Sequence, residues 1–223
     1  MTVILVLATV VIFLTIDYFR SRKRDNVPVT EPVQELARSA RPRSSSVTGF
    51  ELPDNLRYHP GHTWALQESP TLVRAGLDDF AVKLIGKCDA VLLPKRGRWI
   101  RQGQKIATVL RDGQKAELVS PIEGEIADVN EELTKDPGLV CRDPYAAGWL
   151  VAVMSPDAQT NFRNLLGGDI ARRWMAEAAA RLRAKMPALA GAVAQDGGNA
   201  VSDIAAHLSE QNWTELTHEF FLT

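Results

Sequence analysis

An Asp-Gly pair, Asp112-Gly113, stands between two runs of strand-compatible residues, Ile106 to Leu110 and Ala116 to Val119. Asp-Gly in that setting predicts a hairpin, because the favoured tight turn needs positive φ at both central residues. The tip falls at 112–113, with Arg111, Asp112 and Gly113 as the tip residues. Glycines close the stretch at both ends, Gly103 before the first run and Gly124 after the second.

Short strands surround this hairpin. Leu72 to Leu77 alternates as a strand does, Ala90-Val-Leu-Leu precedes a proline, and Gly148 to Met154 is an apolar run. Asp78 to Ile85 has helical spacing. Gly97 and Gly103 supply turns on either side of Trp99-Ile100. Many short strands at turn-punctuated intervals predict a sandwich or flattened barrel over residues 56–155. With 45% apolar residues, the chain has ample material for a core.

After Pro156 the hydrophobic period changes. Residues 156–223 read as a helical extension. Ala158 to Leu166 and Asp169 to Met186 are predicted helices separated by Gly167-Gly168. In the second, Ile170, Trp174, Ala178 and Leu182 are expected to form the apolar face. Arg172, Arg173, Glu177, Arg181, Arg183 and Lys185 form the other, and Pro187 ends the helix. Val201 to Leu208 is a further amphipathic segment. The closing stretch from Trp213 to Thr223 carries Trp213, Phe220, Phe221 and Leu222, which need a surface to bury against. The expected surface is the domain's own sheet.

The N-terminus has a different character. Residues 3–16 are apolar apart from two threonines, Tyr18 and Phe19 follow, and Arg20, Arg22, Lys23 and Arg24 come next. A secretory signal would place its positive charge before the apolar run. Here the basic cluster follows it, which predicts an uncleaved single-pass anchor at 1–19 with the globular part in the cytoplasm. Asp17 is the one charged residue within that span. Residues 20–55, with Pro28, Pro32, Pro42 and Pro53 and a Ser44-Ser-Ser46 run, are expected to be a flexible linker.

Several motifs together resemble the glycine cleavage system H protein, a lipoyl/biotinyl-type fold. Tyr58-His-Pro-Gly-His62-Thr-Trp64 is similar to that family's His-x-Trp opening. Gly76-Leu-Asp-Asp-Phe-Ala81, running on to Leu84-Ile-Gly86, is similar to its Gly-Ile-Thr-x-x-Ala segment. Pro121-Ile-Glu-Gly124-Glu-Ile-Ala-Asp-Val-Asn130-Glu-Glu-Leu133 follows the segment after the family's hairpin. Asp143-Pro-Tyr-x-x-Gly-Trp149-Leu matches its close. The resemblance implies a mainly β, flattened β-barrel sandwich. It also implies a lipoyl carrier in a glycine cleavage-type system, with lipoate on a lysine at the hairpin tip.

At the tip the sequence departs from the family. The family's Glu-Ser-Val-Lys is here Leu110-Arg111-Asp112-Gly113, so the lysine position is occupied by Gly113. Lipoylation forms an amide on a lysine nitrogen, and Gly113 has none. Lys115, two residues further on, faces the same side of the strand because side chains alternate with period two. It is the candidate substitute, displaced from the tip.

Other chemistries find less support. His59, His62, Cys88 and Cys141 would make a zinc set only if the cysteines converged in space, and no metal is expected. Two cysteines without a CxxC pair fit a reducing compartment. Asp203, His207 and Ser209 share one segment with nothing to position a nucleophile, so no catalytic residue is assigned. A net charge of −1 argues against nucleic acid as a partner, and no small-molecule substrate site is evident. Asp128, Glu131, Glu132, Asp136 and Asp143 form an acidic region, which the resemblance would make a partner-facing surface. Two functions follow as expectations. One is a membrane-held, non-catalytic docking or accessory module without cofactor. The other is a lipoyl carrier modified at Lys115.

Overall fold

The computed structural model describes residues 44–185, 204 and 210–223. The expected anchor at 1–19, the linker as far as residue 43, and most of the Val201 to Leu208 segment lie outside these residues. Among the described residues no helix is long and apolar enough to cross a membrane.

Alternating stretches fold as antiparallel strands, which run β1 (Ser44–Val47), β2 (Phe50–Pro53), β3 (Arg57–His59), β4 (Thr63–Gln67) and β5 (Leu72–Leu77). Helix α1 (Asp79–Ile85) leads to β6 (Ala90–Leu92), β7 (Trp99–Ile100), β8 (Lys105–Arg111), β9 (Gln114–Val119) and β10 (Gly124–Val129). Two single-turn helices, α2 (Glu132–Lys135) and α3 (Leu139–Arg142), precede β11 (Val151–Met154). Helices α4 (Ala158–Phe162), α5 (Gly168–Lys185) and α6 (Glu210–Phe221) complete the described chain.

One sheet of six strands has the order β3-β4-β5-β11-β10-β7, and a second of three has the order β6-β8-β9. This is the two-sheet, mainly β architecture expected. Strand β11 lies inside the larger sheet between β5 and β10, which is why its Val151, Ala152 and Val153 are all buried. A strand covered on both faces reads as a continuous apolar run rather than an alternation.

Helix α1 starts where Asp78 Oδ1 accepts from the Ala81 N–H at 2.8 Å, and ends at Gly86, φ 70°, whose N–H reaches Val82 O. Asp79 on its first turn accepts from the Glu51 N–H at 2.7 Å and from Lys83 at 2.6 Å. The Tyr145 hydroxyl accepts from the Asp79 N–H at 2.8 Å and donates to Glu51 O at 2.7 Å. One phenol thus joins β2, α1 and the segment before β11.

Three readings are corrected. Residues 44–53, expected within the linker, form the β1–β2 hairpin over a Thr48-Gly49 turn with φ of 51° and 91°. Its Phe50 is fully buried with its ring 5.0 Å from that of Phe80, so an apolar anchor outweighs the neighbouring prolines. In α5 the buried face is Ala171, Met175, Ala178, Ala179 and Leu182, while Ile170 is 65% exposed. Of the expected face, Ala178 and Leu182 are buried and Trp174 is partly buried against the core, so Ile170 alone departs from it. The predicted helix Ala158 to Leu166 stops at Phe162. Leu166 instead exchanges backbone bonds with Tyr58, at 2.8 and 2.9 Å, and ties the chain to the edge strand β3.

The aromatic close of the chain packs on the barrel as expected, except that Leu222 is 54% exposed. Trp213, Leu216, Phe220 and Phe221 share one face of α6 and are buried, and α6 lies against β9. The Phe220 ring sits 5.0 Å from Phe80.

Candidate functional site

Strands β8 and β9 pair from Lys105–Val119 out to Arg111–Gln114, leaving Asp112 and Gly113 as the two loop residues. Their φ values are 47° and 81°. This is the two-residue turn that Asp-Gly predicts. Around Gly113 the space is open: a Cβ built there meets nothing within 4 Å.

The tip is nevertheless held to the body of the domain. The Asp112 N–H donates to Asp89 Oδ2 at 2.7 Å, and the Asp89 N–H donates to Leu110 O at 2.8 Å. Lys87 Nζ lies 2.8 Å from Asp89 Oδ1 and 3.4 Å from Asp112 Oδ1. These contacts hold the Asp89 carboxyl below its usual range, chiefly through the Lys87 bond, and push the Lys87 amine up, chiefly through Asp89. All three side chains face solvent, so each pair is weak and salt-sensitive. Arg111 makes a firmer contact. Its side chain is buried, donates to Ile85 O, and places its guanidinium 5.9 Å from the Trp213 ring centre on α6. The loop after α1 and the C-terminal helix therefore meet the hairpin at its tip.

These geometries test the fit of lipoate. The group attaches through an amide to a lysine amine, and the tip residues Arg111, Asp112 and Gly113 include none. Lys115 is exposed but lies on β9 opposite Leu110, down the strand from the turn. Lys87 does bring an amine to the turn, from outside the hairpin, and there it is bridged to two carboxylates. The residues present at the tip do not fit the cofactor.

The metal-type residues are used otherwise. His62, at φ 59°, is wholly buried; its Nδ1 donates to Asp78 Oδ2 at 2.8 Å and its ring stacks 4.0 Å from Phe80. Its Nε2 is buried without a partner, 4.6 Å separating the ring from that of Trp174. His59 Nδ1 accepts from the Gly61 N–H at 3.0 Å, and burial lowers its pKa. The Cys88 thiol is pushed up to about 12, first by burial and then by the neighbouring Cys141. Among the described residues no three His, Cys, Asp or Glu side chains group to hold a metal. Asp203, His207 and Ser209 lie outside the described residues.

The acidic region is partly neutralised. Arg96 pairs with Asp128 and Glu131 at 2.6 and 2.9 Å, and Arg142 pairs with Asp136. Asp143 Oδ2 accepts from the Ala147 N–H at 2.9 Å. Sequence reasoning missed Lys87, Asp89 and the Arg111–Trp213 contact. None had a local signal, since each joins segments more than twenty residues apart.

Comparison with known proteins gives a consistent picture. The family model described as glycine cleavage H-protein matches residues 56–178. A probable glycine cleavage system H protein 2 of Sulfurisphaera tokodaii is 35% identical over 130 residues, covering 57% of this chain and 87% of that protein. The glycine cleavage system H protein of Nocardia farcinica is 36% identical over 106 residues, 48% of this chain and 80% of that protein. A crystal structure of the H protein from Mycobacterium marinum has 30% identity and a TM-score of 0.44, covering 47% of this chain and 87% of that one. With more than half of its residues matched by the family model and relatives covered over most of their length, the chain belongs to the glycine cleavage H-protein family.

Proposed function

We propose that this chain is an H-protein-family module without lipoate, acting as a non-catalytic docking or accessory subunit of a membrane-associated complex. An H protein is not itself an enzyme, and family membership points to work through protein partners. The observation that carries the reading is the tip. A swinging carrier needs its cofactor on an exposed turn, and here that turn holds Gly113, is tied through Asp112 to Asp89, and is anchored through Arg111 to the domain. A fixed tip with no lysine of its own suits recognition better than transfer. The apolar run at 1–19 with its trailing basic cluster supports attachment to a bilayer, with the domain on the cytoplasmic side.

A second reading keeps the family's carrier role and places lipoate on Lys115, which is exposed and on the hairpin. The intact mass of the protein from its native host, solubilised in detergent, decides between them. An unmodified mass, with co-purifying membrane subunits, is expected. A lipoyl-sized addition mapped to Lys115 overturns the docking reading. Release of the protein from membranes by salt alone overturns the anchor.

A further inference from the structure

The six-stranded sheet ends in a short strand. β7 pairs with β10 along one side, with Trp99 opposite Glu125 and Ile100 opposite Gly124. Among the described residues no strand pairs with its other side. The far edge of the same sheet, β3, is closed by the two backbone bonds between Tyr58 and Leu166. In the smaller sheet, the edge strand β9 has α6 against it. An open edge presents backbone N–H and C=O groups on which a further extended segment can build.

The side chains along this edge are cationic. Ile100 is buried, while Trp99 is 51% exposed and is flanked by Arg98 and Arg101, with Lys95 in the loop before. Those three cations are exposed, and none makes an ion pair among the described residues. Arg96, between them, is already paired with Asp128 and Glu131. Glu123 and Glu125 lie on the β10 side of β7. From an added strand they stand two strand spacings away, about 10 Å. That exceeds the Debye length of about 8 Å at physiological salt. Side chains directly opposed across a new ladder are only about 5 Å apart, so Arg98 and Arg101 decide what pairs there.

We propose that the β7 edge takes an extended acidic segment of another protein as an added strand. Main-chain bonds along β7 hold the segment. Carboxylates opposite Arg98 and Arg101 set its charge, and an apolar side chain beside the Trp99 indole anchors it. A second copy of this chain does not fit the edge. β7 against β7 brings the Arg98 and Arg101 side chains of both copies together, and cations along an edge deter such self-pairing. This inference stands apart from the reading of the hairpin tip, which lies at the other end of β8.

The test is calorimetric titration of the full chain in detergent micelles with a capped peptide of alternating glutamate and valine. Its glutamine and lysine counterparts, and the glutamate peptide N-methylated throughout its backbone, are the comparisons. Saturable binding of the glutamate peptide is expected, at least about tenfold tighter than the glutamine peptide and weakened by salt. Hydrogen exchange within residues 97–101 should slow when it binds. Arg98→Glu together with Arg101→Glu should weaken the glutamate peptide by about tenfold or more and admit the lysine peptide in its place, with thermal unfolding unchanged. Trp99→Ala should weaken binding by about threefold or more. The proposal is overturned by no saturation, by equal binding of the glutamine or N-methylated peptide, by protection confined to other residues, or by an unchanged charge preference in the double variant. Protection of residues 97–101 by phosphatidylserine vesicles, with no peptide binding, assigns the edge to a bilayer and equally overturns it.

Discussion

At the scale of single residues, Gly113 and Gly76 show how differently two glycines constrain one domain. Gly113 has left-handed φ but open space, so Gly113→Lys places an amine at the tip with backbone strain of about 1–2 kcal/mol. The expected result is a folded protein with a slightly lower urea midpoint. Gly76 is the opposite case. A Cβ there would stand 2.6 Å from Trp64, a fully buried ring whose Nε1 donates to Pro144 O at 3.1 Å. Gly76→Ala should cost roughly 1–3 kcal/mol by overpacking, read as a fall in the unfolding midpoint without change in m-value. The expectation that Gly113 takes the place of the family's lysine rests on counting residues from Gly103 and Pro121. The Lys87–Asp89 bracing of the tip was not legible in the sequence, because those residues reach it only through the folded loop after α1.

At the scale of elements, the hairpin and α6 hold each other. Arg111→Met removes the donor to Ile85 O and should cost roughly 1–3 kcal/mol. The matching observation is faster hydrogen exchange at the Asp112 amide. Trp213→Ala should cost about 3–5 kcal/mol, since it empties a buried aromatic site between α6 and the barrel. The β3–β4 turn adds a pH dependence. Burial lowers the His59 pKa, so the unfolded chain binds the proton more readily. Its contribution is present above the ordinary histidine value of about 6.5 and is lost as pH falls through the folded value. His59→Asn keeps an acceptor for the Gly61 N–H, and denaturant titrations between pH 7 and pH 5 should show a shallower loss of stability. Strands were readable because their alternation is local. The facing of α5 was legible at Trp174, Ala178 and Leu182 but not at Ile170, because a buried side that is mostly alanine gives a weak apolar stripe that an exposed isoleucine outweighs.

At the scale of the molecule, two sheets form the H-protein core and the helical extension closes over it. Trp213, Leu216, Phe220 and Phe221 are buried by that closure. Each large apolar side chain contributes about 1.5–3 kcal/mol when buried. Together they rival the ~5–15 kcal/mol that stabilises a typical domain. A chain lacking residues 210–223 should therefore bind a hydrophobic dye and lose its cooperative thermal transition. The fold class was legible because four motifs in order carried it. The extent of the domain was not, since Phe50 and Leu52 sit among prolines and serines and declare themselves as core only when Phe80 is beside them. The Tyr145 hydroxyl has a further consequence for assembly. Its bond to Glu51 O spans 94 residues and its bond to the Asp79 amide spans 66. Neither forms until most of the barrel's contour has been gathered into place. Such long loop closures put refolding in the range of milliseconds to seconds, and this phenol should be among the last side chains to become protected from solvent-borne nitrating reagents.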